Sequence, residues 1–126
     1  MAAKPTALVI DDDKTIVALL SATLRAAGYH VLAAYDAMQG FMIAQREVPA
    51  VILLDIQLPA GGGLQVLEKI TASSKTHAIP VVIISGGTDP KLEAETKAKG
   101  AAFFVRKPVD QKALIALLES LDSRRA

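Results

Sequence analysis

The sequence contains no cysteine, which excludes a disulfide scaffold, a thiolate nucleophile and a thiolate metal site. Aromatic residues are scarce, two Tyr and three Phe among 126 residues. The apolar 52% of the chain is therefore mostly aliphatic, which suits a buried parallel sheet with small-residue helices packed on it. An excess of one charge is also missing. A formal net charge of +1 gives no pull toward DNA, RNA or anionic lipid. The basic pairs Arg106-Lys107 and Arg124-Arg125 are too short to change that, and the second reads as a solvated tail. No apolar run approaches the length of a membrane span, and residues Met1 to Thr6 carry no signal-peptide apolar region. A soluble, cytoplasmic protein without a nucleic-acid or membrane partner is expected.

What is present is alternation. Apolar runs of strand length, Ala7–Ile10, His30–Ala34, Val51–Leu54, Val81–Ile84 and Ala102–Val105, are separated by segments with helical spacing. The first such segment places Ile16, Leu19, Leu20, Thr23 and Leu24 in phase and stops near Gly28. Asp36 can cap a helix through about Arg46, and Leu64, Leu67 and Ile70 mark a third. Asp89-Pro90 opens a fourth helix, which Gly100 ends. Asp110 caps a fifth, whose Leu114, Leu117, Leu118 and Leu121 share a face. Strand–helix alternation with continuous aliphatic strands predicts an α/β domain, a three-layer α/β/α sandwich covered on both faces. Periodicity alone leaves the strand order open.

The polar residues fall in a pattern. Asp11, Asp12, Asp55, Ser85 and Lys107 lie at or just past the carboxyl ends of strands, and parallel strands put those ends on one rim. Three carboxylates there need a reason, because each like-charged pair at ~4 Å costs on the order of 4 kcal/mol at an effective dielectric near 20. A cation among them resolves the crowding, and Mg²⁺ suits a few carboxylates while keeping waters for a phosphate. A carboxylate nucleophile, a divalent ion, a hydroxyl and a lysine together make a parts list for phosphoryl transfer to Asp. Each part alone has a plainer reading: Asp11 to Asp13 as strand exit and helix cap, Asp55 as a turn residue, Ser85 as the start of a turn. Their joint occurrence on four strand ends is what points to a site.

With those residues in hand, Ala7-Leu-Val-Ile-Asp-Asp-Asp13, Leu54-Asp-Ile-Gln-Leu-Pro59 with Gly63, Ile83-Ile-Ser-Gly86 and Val105-Arg-Lys-Pro108 resemble the signature blocks of response-regulator receiver domains of the CheY-like superfamily. The resemblance keeps order and spacing and covers a domain at residues 5–122, leaving 1–4 and 123–126 as short tails. It implies a flavodoxin-like five-stranded parallel sheet in the order 2-1-3-4-5. It further implies that Asp55 is the phosphoacceptor. Asp12, Asp55 and the Gln57 backbone carbonyl would hold Mg²⁺, with Asp11 acting largely through water. Lys107 would contact the phosphoryl oxygens, Ser85 would bond to the phosphorylated form, Phe104 would be the switch aromatic, and the peptide before Pro108 would be cis. The implied partners are a sensor histidine kinase or phosphotransfer protein and a downstream protein effector.

Some positions depart from the commonest pattern of that family. Gly61-Gly62-Gly63 stands where bulkier residues usually precede the last glycine, so a mobile loop is expected. Phe104 carries no hydroxyl, and Phe103 beside it should face the other side of its strand. His30 and His77 match no motif and read as surface or strand residues. Two rivals are open at this point. Asp11-Asp12-Asp13-Lys14-Thr15 also fits the first motif of haloacid-dehalogenase-like phosphatases, although Asp55-Ile-Gln-Leu-Pro is then unexplained and a late acidic pair is lacking. A flavodoxin-like nucleotide binder would have to meet a phosphate with three carboxylates. Only five residues follow Leu121, which leads us to expect a single-domain regulator acting by protein–protein contact, the alternative being the receiver part of a longer protein.

Overall fold

The uninterrupted aliphatic runs become strands in the computed structural model, which describes the backbone of residues 4–125 and the side chains as far as Leu121. The strands are β1 (Thr6–Ile10), β2 (His30–Ala34), β3 (Val51–Asp55), β4 (Val81–Ser85) and β5 (Phe103–Arg106). They pair in parallel in the order β2-β1-β3-β4-β5. Between and after them run α1 (Lys14–Ala26), α2 (Ala37–Glu47), α3 (Gly62–Ala72), α4 (Pro90–Ala98) and α5 (Gln111–Arg125), with a 3₁₀ turn at Pro59–Gly61.

Alternate strand residues feed two cores, as the pleat requires. Leu8, Ile10, Ile52, Leu54, Val81 and Ile83 pack with Ala44 of α2 and Val66, Leu67 and Ile70 of α3, and Leu92 of α4 leans on the same cluster. Ala7, Val9, Val51, Leu53, Val82 and Ile84 pack with Val17, Leu20 and Leu24 of α1 and Leu114, Leu118 and Leu121 of α5. Burial on both faces explains why β3 and β4 show no polar alternation. Each fully buried Leu or Ile contributes about 1.5–3 kcal/mol relative to an exposed one.

Short polar residues set the helix starts. Asp13 Oδ1 accepts from Thr15 N–H at 2.9 Å and opens α1, and Asp36 Oδ1 accepts from Gln39 N–H at 2.7 Å and opens α2. Asp89 does so for α4 ahead of Pro90, and Asp110 Oδ1 accepts from Lys112 N–H at the start of α5. Gly28 and Gly100, at φ +94° and +103°, turn the chain out of α1 and α4 in the left-handed region that favours glycine.

One expectation changes. The glycine run is not a free loop: Gly61 precedes α3 at φ +73°, while Gly62 and Gly63 are buried in its first turn. A Cβ on Gly63 would lie 2.3 Å from the Ile56 carbonyl oxygen, so the missing side chain permits close packing of helix on loop. The backbone of α5 runs through residue 122 to Arg125. Of the expected tails, residues 1–3 and 126 lie outside the described residues. No helix among the described residues is long and apolar enough to cross a membrane.

Candidate phosphoryl-transfer site

The carboxyl ends of β1 and β3 adjoin in the sheet, with β2 beyond β1 and β4 beyond β3. Strand order reverses there, which opens a crevice at that rim. Asp11 follows β1 directly, its N–H donating to Ala34 O at 3.1 Å. Its side chain is buried, and Oδ1 accepts from Asp13 N–H at 2.9 Å. Asp12 is exposed. Asp13 turns away to cap α1, so the three consecutive aspartates divide into two site residues and one structural one.

Asp55 ends β3 and is also buried. Its Oδ1 accepts from Gln57 N–H at 2.9 Å, and its Oδ2 lies 3.7 Å from Lys107 Nζ. The same ammonium lies 3.5 Å from Asp11 Oδ2. The Lys107 N–H donates to Ser85 O at 2.8 Å, and the Lys107–Pro108 peptide is cis. Burial raises the Asp11 carboxyl above its ordinary pKa and the Asp55 carboxylate raises it further, against the lowering influence of Asp13 N–H and Lys107. Asp11, Asp12 and Asp55 offer carboxylate oxygens that all lie within 4.8 Å of one another. Hard oxygen donors at that spacing fit a small divalent ion such as Mg²⁺.

Ser85 closes β4, fully buried, with its Oγ accepting from Gly87 N–H at 3.1 Å. Phe104 packs against the core cluster on the α2–α3 side and Phe103 against the other, so the pair does face opposite ways. His30 and His77 are exposed and take no part.

Sequence reasoning missed two side chains at this rim. Gln57 was singled out only for its carbonyl, yet its Oε1 accepts from Gly86 N–H at 2.8 Å and joins the loop after β3 to the loop after β4. Arg106 was read as part of a short basic pair, but its Nη1 donates to Gly87 O at 2.7 Å and its guanidinium lies 5.2 Å from the Phe104 ring centroid. No local pattern signals either contact, because each partner is a backbone group of the Gly86-Gly87 loop.

Known proteins resemble this chain along nearly its whole length. The profile of the family described as "Response regulator receiver domain" matches residues 7–119. The chain is 32% identical to Protein PilH of Pseudomonas aeruginosa over 114 residues, 90% of this chain and 94% of that protein. It is 36% identical over 114 residues to the response regulator PleD of Caulobacter vibrioides, again 90% of this chain but 25% of that protein. It likewise spans 48% of the transcriptional regulator RpaA of Synechocystis. The crystal structure of Vibrio cholerae CheY4 superposes with a TM-score of 0.87 at 28% identity, covering 94% of this chain and 99% of that one. A Clostridium thermocellum receiver domain gives 0.87 at 27% identity, covering 96% of each. The phosphatase reading gives way to these matches, and the family profile spans Asp55-Ile-Gln-Leu-Pro. The chain belongs to the response regulator receiver domain family and is a signalling domain of the two-component type.

Proposed function

We propose that Asp55 accepts a phosphoryl group from a phosphohistidine on a sensor kinase or phosphotransfer protein in the cytoplasm, and that the phosphorylated form presents an altered surface to a protein effector. The observation that carries this reading is the company Asp55 keeps: the Lys107 ammonium lies 3.7 Å from its Oδ2, and carboxylate oxygens of Asp11 and Asp12 lie within 4.8 Å of one of its own. Asp55 forms the new O–P bond as the N–P bond of the donor breaks, and the imidazole leaves with the bonding pair. Lys107 neutralises charge on the transferred oxygens. Asp11, Asp12, Asp55 and the Gln57 carbonyl would hold Mg²⁺, which when bound supplies further positive charge to those oxygens.

After transfer, the Ser85 hydroxyl turns from Gly87 to donate to a phosphoryl oxygen, and Phe104 moves into the space that opens. This biases a two-state equilibrium of the surface formed by α4, β5 and α5. The test is labelling by acetyl phosphate with Mg²⁺. The wild type should take up one phosphoryl group and Asp55→Asn none. Stable labelling of Asp55→Asn through Asp11 would overturn the assignment.

A further inference from the structure

We propose that Arg106 is a positioning residue that clamps the loop after β4 in its resting arrangement and thereby sets how readily Ser85 is released to the phosphorylated site; this rests on the roles of Asp55 and Ser85 proposed above. Gly86 and Gly87 have no side chains with which to anchor themselves. Three bonds hold them: Gly86 N–H to Gln57 Oε1 at 2.8 Å, Gly87 N–H to Ser85 Oγ at 3.1 Å, and Gly87 O from Arg106 Nη1 at 2.7 Å. The second of these occupies the hydroxyl that must move. Its partner, Gly87, is pinned from the far side by the third.

Arg106 is well placed to pin it. Ser85 and Arg106 are register partners across β4 and β5, so the guanidinium reaches forward over the loop that Ser85 begins. Nη2 lies 3.5 Å from Glu93 Oε1 on α4, and the guanidinium carbon lies 5.2 Å from the Phe104 ring centroid. One cation thus touches the loop, α4 and the switch aromatic together. The Glu93 pair is about two-fifths exposed on both sides and contributes little. The short charge-assisted bond to Gly87 O and the ring contact carry the clamp.

A clamp of this kind favours the resting state, and apparent affinity for a phosphoryl mimic scales with the fraction of molecules already able to release Ser85. Loss of one net hydrogen bond from the resting state raises that fraction about threefold to tenfold. Loss of a cation by itself would weaken binding of an anion, so the two effects have opposite signs. Beryllofluoride with Mg²⁺ is titrated into wild type, Arg106→Ala and Arg106→Lys, with binding read from amide chemical shifts and folding from circular dichroism. The expected result is binding about threefold to tenfold tighter in Arg106→Ala. Arg106→Lys, which keeps one donor and the charge, should fall between Arg106→Ala and wild type. The free Arg106→Ala protein should also show its Gly87 amide shifted toward the bound wild-type position. No binding to wild type overturns the reading of Asp55 itself. Binding to wild type with equal or weaker binding to both variants overturns the clamp and leaves that reading standing.

Discussion

Asp12 is the exposed member of a carboxylate trio whose other two members, Asp11 and Asp55, are buried, and that difference separates its proposed role in binding an ion from its role in the fold. Asp11 and Asp55 both accept backbone N–H bonds and both face Lys107, so replacing either disturbs local structure as well as charge. Asp12→Ala removes a proposed ligand oxygen from the rim with little else. Its stability without Mg²⁺ should stay within about 0.5 kcal/mol of wild type. Mg²⁺ at a hundredfold excess over Kd should stabilise wild type by about 2.7 kcal/mol through linkage, and most of that gain should vanish in Asp12→Ala. Urea melts with and without Mg²⁺ measure both quantities, and an equal gain in the two proteins would count against the ion site.

The passage from β3 into α3 decides how tightly the site is supported. Leu58 and Pro59 lead into a 3₁₀ turn in which Ala60 sits at φ +58°, and the chain then enters α3 with no side-chain cap. What fixes this entry is contact: Gly63 lies so near the Ile56 carbonyl that any Cβ must push backbone. Gly63→Ala should therefore destabilise the domain by about 1–3 kcal/mol through overpacking. Because Ile56 follows Asp55 directly, the same change should slow phosphoryl uptake. Gly61→Ala is a useful contrast. Open space surrounds its missing Cβ, but φ +73° remains, so its cost of about 1–2 kcal/mol comes from conformation alone. Chemical denaturation and acetyl-phosphate labelling of the two variants distinguish packing from backbone strain.

At the scale of the whole molecule, β3 carries both the core and the site. Leu54 is fully buried between the paired strands β1 and β4, and the next residue is Asp55. Leu54→Ala should cost about 2–5 kcal/mol, because neighbours covered on both faces of a sheet relax little into the cavity. Met42→Ala on α2, where the residue is 59% exposed, should stay within about 0.5 kcal/mol. Urea midpoints at unchanged slope test the pair. A similar loss in both would mean that the α2 surface packs against more than is described.

The sequence by itself determined the elements and the rim. Val51–Leu54 and Val81–Ile84 read as strands buried on both faces, since they are short, aliphatic and uninterrupted by anything polar, and Asp36, Asp89 and Asp110 announced helix starts because a short carboxylate satisfies free N–H groups there. Once the strands are parallel, their carboxyl ends lie together, so Asp11, Asp12, Asp55, Ser85 and Lys107 were legible as one group before any coordinates. The strand order was legible only through family resemblance, because periodicity reports which faces are buried and not which neighbour buries them. Tertiary structure alone decided the rest. It assigned Asp13 to the α1 cap while Asp11 faces Lys107, packed Gly62 and Gly63 instead of freeing them, and carried Arg106 and Gln57 onto the Gly86-Gly87 loop. Those outcomes depend on contacts between residues far apart in the chain, such as Arg106 with Gly87 and Gln57 with Gly86. Local pattern carries no record of such contacts, because a hydrogen bond to a backbone carbonyl or N–H asks nothing of the side chain at its partner's position.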